Sequence, residues 1–111
     1  MITREEAIRC CLGFPGVYED QPFHDDNWTV IRHRQNNKIF AAVFDRQGHV
    51  WINVKCHPAM TFVWRQMYPS VIPAYHMNKE HWNSIILDGT VPVDAIESMI
   101  ADSYHLTKVK R

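Results

Sequence analysis

Residues 76–83 read HMNKEHWN. Two imidazoles, an amine, two amides and an indole within one short stretch can ligate a metal ion, contact a nucleic acid or tie off a turn. Metal ligation requires convergence. His76 and His81 would lie on different sides of a helix and on opposite faces of a strand, so only a turn could aim both at one ion. Zinc sites show three or four ligands at recurrent spacing, and no spacing selects His57 or Cys56 as the third. No metal site is assigned. No nucleophile elbow, Gly-rich phosphate loop or CxxC pair occurs either. The expectation is a non-enzymatic binding module without a cofactor.

Nucleic-acid contact has more support. Arg32 and Arg34 alternate on one side of a predicted strand, with His33 between them, and Lys38 begins the next strand across a Gln35–Asn37 turn. A hairpin tipped with arginine, lysine and asparagine can hold phosphates. Trp51 and Lys55 share one face of a third predicted strand, and Lys79, His81 and Trp82 lie in the 76–83 motif, a second candidate hairpin. Cations for phosphate and rings for stacking are what such a surface requires. The predicted nucleic-acid-binding residues are therefore Arg32, Arg34, Lys38, Lys55, His76, Lys79, His81 and Trp82, with DNA the favoured partner. The alternative is a protein–protein adaptor using an open sheet face at Trp51, Lys55 and Trp82. Within the motif, Asn78 and Lys79 are expected to make the turn, asparagine being suited to unusual backbone angles.

Composition narrows the classes. The 111 residues fit one domain spanning 1–111, and 46% apolar with 22% charged residues is a globular balance. No apolar run is long enough for a membrane span, which needs about 20 residues. The beginning MITREEAIRCC lacks the pattern of a secretory signal, so a cytoplasmic location and a monomer are expected. Three cysteines, two of them adjacent, make a poor disulfide framework; Cys11 and Cys56 read as buried hydrophobes. Net charge is zero but uneven: residues 29–81 carry seven basic and two acidic groups, and residues 1–28 carry two and six. A local basic patch still acts within a Debye length of about 8–10 Å.

The elements that position these residues follow from periodicity. Thr3 and Glu6 form a capping box for a helix whose stripe is Ala7, Ile8, Cys11 and Leu12, stopped by Gly13 and Pro15. Val17 and Tyr18 can begin a short strand. Strands are predicted at 28–34, 38–45 and 50–56. In the last, Val50, Ile52, Val54 and Cys56 face a core, while Trp51, Asn53 and Lys55 point to a partly open face. A helix from Pro58 carries a stripe of Met60, Val63, Trp64 and Met67 and ends at Pro69. A loop, a strand over 81–88 and a helix from Pro92, with Val93, Ile96, Met99, Ile100 and Tyr104 inward, complete the chain; residues 107–111 are expected to fray. Helices segregated to one face of an antiparallel sheet make an α+β two-layer sandwich.

Several of these segments carry a resemblance. PGVYEDQPF (15–23), KIFAAV (38–43), INVKC-P (52–58), YPSVIPAYHMNKEHWNSIILDGTVP (68–92) and MI-DSY (99–104) together resemble the MmcQ/YjbR-like family along nearly the whole chain. The resemblance implies a CyaY-like, frataxin-type fold, with helices on one face of a twisted antiparallel sheet. It also implies a double-wing arrangement of projecting hairpins and a DNA-binding role. Frataxin-like iron binding would need a dense acidic ridge on the first helix; here Glu5 and Glu6 are set against Arg4 and Arg9.

Overall fold

The computed structural model describes residues 3–108. The elements run α1 (Arg4–Leu12), β1 (Val17–Asp20), β2 (Thr29–His33), β3 (Ile39–Arg46), β4 (His49–Lys55), α2 (Pro58–Met67), β5 (Val71–Pro73), β6 (Trp82–Ile86) and α3 (Val93–Thr107). The six strands form one antiparallel sheet in the order β1-β2-β3-β4-β6-β5. This is the expected α+β sandwich. β5 was expected as loop; it is a three-residue edge strand, where Pro73 lacks an N–H but no outer neighbour needs one.

Local rules account for much of this. Thr3 and Glu6 close the capping box on α1, with Glu6 N–H donating to Thr3 Oγ1 at 3.2 Å. His57 caps α2, its Nδ1 accepting from Ala59 N–H at 3.2 Å. One face of the sheet carries Ile31, Val43, Ile52, Val54 and Ile85, buried under Ala7 and Cys11 of α1 and Ile96, Met99 and Ile100 of α3. A bulge where Ile31 pairs with Ala41 and Arg32 with Ile39 turns both Phe40 and Ala41 into this core. Val93, expected inward on α3, is exposed. Of the tail predicted to fray, Thr107 instead ends α3 and is buried, and residues 109–111 lie outside the described residues.

Two expectations fail for physical reasons. The second sheet face is not open where the sequence placed its exposed residues, at Trp51 and Asn53. Trp51 is 3% exposed and Asn53 fully buried, because the β5–β6 connection folds back over them. Asn53 Nδ2 donates to Tyr75 O at 2.8 Å, Tyr75 N–H donates to Ser84 Oγ at 2.9 Å, and Ser84 Oγ donates to Asn53 Oδ1. That closed set of bonds lays the Tyr75 ring against Phe44 and Trp51 and under the Arg46 guanidinium, 4.2 Å from its centroid.

The second failure is the stripe on α2. Met60, Val63 and Met67 face outward, with Phe62 the most exposed at 62%. The inward stripe is Thr61, Trp64, Arg65 and Tyr68. The cause is Asn83, a fully buried amide on β6 that must be satisfied. Arg65 Nε donates to its Oδ1 at 2.7 Å, and its Nδ2 donates to Thr61 O at 3.1 Å and to Cys56 Sγ at 3.6 Å. Those bonds rotate the helix away from its apolar side.

Candidate nucleic-acid interface

The β2–β3 turn is the sharper of the two predicted hairpins. His33 N–H donates to Lys38 O, Asn37 N–H donates to His33 O, and Asn37 takes the left-handed conformation (φ 60°) that asparagine tolerates. Tyr18 Oη donates to Asn37 Oδ1 at 2.8 Å, bracing the turn from β1. From behind, His33 Nε2 lies 2.8 Å from Thr107 Oγ1, and Asn36 Nδ2 donates to Thr107 O at 2.9 Å. The hairpin is thus bolted to the C-terminus of α3. Burial holds the His33 imidazole below its usual pKa, with Lys108 adding to the effect and the Tyr104 backbone opposing it.

The predicted site residues divide by what holds them. Arg32 is removed from the free set: its Nε contacts Asp20 Oδ2 at 2.9 Å and its Nη1 donates to Asn37 O. It shapes the turn rather than offering charge. Arg34 is exposed, its guanidinium 5.5 Å from the Tyr18 ring centroid, and Lys38 is exposed beside it. Lys55 ends β4 half-buried, the register partner of half-buried Trp82 on β6.

The 76–83 motif is tied to the body of the molecule at several points. Its Lys79 Nζ donates to Ala74 O at 2.9 Å, while Arg65 reaches across to Lys79 O and Trp82 O. Asn78 makes the turn, accepting Glu80 N–H on Oδ1, but the left-handed residue is His76 (φ 63°). His76 lies against Tyr75 and Trp28, whereas the His81 carbonyl accepts Cys56 N–H. Among the described residues no three His, Cys, Asp or Glu side chains are grouped to hold a metal. The thiols are poor nucleophiles: burial pushes Cys56 up to about 11, and raises Cys11 and Cys10 as well.

Topology brings together what the sequence separates. The β2–β3 turn, the end of β4 and the start of β6 all lie at one end of the sheet, as does the end of α3. Arg34, Lys38, Lys55, Lys79 and Lys108 gather there. Lys108 was missed, although the excess of basic residues after Leu106 was its signal; it stands 5.8 Å from the Tyr104 ring centroid and shares a pocket with Arg34, Gln35 and His33. Among the described residues the ion pairs are Arg32–Asp20 and Arg4–Asp45, so none of these five cations is held by a carboxylate. The opposite end carries Asp25, Asp26, Asp45 and Asp88 together with the start of α1, whose Arg4 binds Asp45 at 3.0 Å.

Known proteins share this architecture. The YjbR family model matches residues 12–106. The uncharacterised Bacillus subtilis protein YyaQ is 34% identical over 97% of this chain and all of its own length. The uncharacterised Escherichia coli protein YjbR is 29% identical over 94% of this chain and 86% of its own. A crystal structure of a Deinococcus radiodurans protein with the domain called DUF419 superposes with a TM-score of 0.85 at 31% identity, covering 96% of this chain and 78% of that one. A Pseudomonas syringae protein reaches a TM-score of 0.84 at 29% identity, covering 96% and 99%. With a matching model over most of its length and relatives of the same fold, the chain belongs to the YjbR family.

Proposed function

We propose that this chain is a non-enzymatic binding module that grips a nucleic-acid backbone with the basic end of its sheet. One observation carries the reading: Arg34, Lys38, Lys55 and Lys108 stand at one end of an electrically neutral molecule, and no carboxylate among the described residues holds them. Phosphate contact of this kind orients the ligand without reading sequence. Among the described residues no helix is long and apolar enough to cross a membrane. The test is a titration of labelled oligonucleotides at two salt concentrations. Replacing Arg34, Lys38 and Lys108 with alanine should weaken binding and reduce the salt slope by roughly 2–3 units. Absence of wild-type binding to any oligonucleotide at low salt removes the reading.

A protein-partner reading moves from the sheet face to α2. Trp51 is buried and cannot serve an adaptor surface, whereas Met60, Phe62, Val63 and Met67 form an exposed apolar strip. Arg65, the sole charged residue of α2, is turned inward to Asn83, so this strip is uncharged and suits a second copy of itself. Sedimentation should show self-association that Phe62→Glu abolishes; a wild type monomeric at high concentration dismisses it.

A further inference from the structure

The second sheet face is covered only in part. Beside the Tyr75 lid lies a groove of about 420 Å³. The strand residues Val30, Ile39 and Ala42 form its floor, and Phe23, Trp28, His76 and Met77 complete the lining. This volume falls in the range of small-molecule sites, roughly 300–1,000 Å³.

The walls are built for a flat ring. Trp28 is fixed by stacking on Phe44, with centroids 4.0 Å apart and planes 17° apart. Phe23 meets Trp28 edge to face at 6.0 Å and is 53% exposed, so much of its surface is available to a ligand. The His76 imidazole adds a third ring, its centroid 6.2 Å from that of Trp28 and its plane tilted by 47°. The acidic group among the lining residues is the Asp25 carboxylate. It can accept from an exocyclic amine but repels a phosphate. The floor leads directly to the cationic turn: Ile39 follows Lys38 in the chain and pairs with Arg32. A ligand held by phosphate at Lys38 therefore has an apolar, ring-walled slot next to its anchor.

We infer that this groove receives an unpaired nucleobase of a single-stranded nucleic acid whose backbone lies on Lys38 and Arg34. The inference rests on the backbone-binding reading and goes beyond it, since it selects single strands over duplex. In a duplex the bases are stacked and paired, and freeing one costs energy that an open strand does not. Stacking on aromatic side chains tolerates any base, because every base has a π-face.

The experiment compares a 12-nucleotide oligo(dC) and a 12-base-pair duplex by fluorescence anisotropy. Single strand should bind at least tenfold more tightly than duplex. Phe23→Leu, which keeps apolar bulk but removes the ring, should weaken single-strand binding roughly five- to a hundredfold and leave duplex binding unchanged. Phe23→Trp should restore it. Phe23 is largely exposed, so all these variants keep the fold. Equal single-strand affinity for wild type and Phe23→Leu overturns the base slot while leaving backbone binding intact. A wild type that binds neither ligand overturns both.

Discussion

The two ends of the sheet handle their charges in opposite ways. At the end where β3 leaves the sheet, Arg4 is fully engaged: Nη1 contacts Asp45 Oδ2 at 3.0 Å, and Nη2 donates to Thr29 Oγ1 at 3.0 Å. Asn27 completes the knot by donating to Asp45 O and accepting Asp45 N–H. There the charged groups fasten α1 to the sheet. At the β2–β3 turn Arg32 is the one cation spent on fastening, held by Asp20 and donating to Asn37 O, and the rest is done by the neutral groups His33, Asn36, Thr107 and Tyr18. The cations Arg34 and Lys38 are left over, with Tyr18 flanking Arg34. A cation that holds the fold, as Arg4 and Arg32 do, is not available to a ligand; one left over where neutral hydrogen bonds do most of the holding is.

Three kinds of measurement would break or sharpen this contrast. The largest effect is expected from charge reversal. Arg34→Glu with Lys38→Glu should lower nucleic-acid affinity at low salt by at least a hundredfold. Asp26→Asn at the other end should leave it equal or better, as oligonucleotide titration will show. Next comes stability. Arg4→Ala should cost about 1–2 kcal/mol in urea unfolding, since it strands several polar partners. Arg34→Ala should stay within about 0.5 kcal/mol.

The smallest effect is in pH. His33 has a folded pKa below its ordinary 6.5, so its stabilisation is complete above pH 6.5 and is lost as pH falls through the lowered value. Asp88 is held at about 2 by the Ser70 and Thr90 hydroxyls, against 3.8 ordinarily. Its contribution is present above pH 3.8 and lost between 3.8 and 2. Urea midpoints followed from pH 8 to 2 should fall in two steps. Asp88→Asn should remove the lower step alone.

Some of this was legible in the residue order. Alternation along 50–56 located β4, the Thr3–Glu6 box started α1, and Gln35–Asn37 marked the turn that presents Arg34 and Lys38. The site was legible only in part. Arg32 looked as free as Arg34 because nothing local ties it to Asp20, twelve residues earlier. Lys108 looked irrelevant because its neighbourhood with Arg34 is created by the packing of α3. The outward turn of α2 was hidden because its apolar spacing was sound. Asn83, on a later strand, overruled it.

The residue order by itself determined the class of fold, the family and the turn that carries the cations, because capping and alternation act between residues close in the chain. The tertiary structure alone decided which cations remain unpaired, which sheet face is covered and where a ring-walled groove stays open. Those outcomes depend on partners brought together across the chain, as Asn53 is with Tyr75 and His33 with Thr107. A buried polar group must be satisfied by whatever the fold places beside it, and no local pattern names that neighbour.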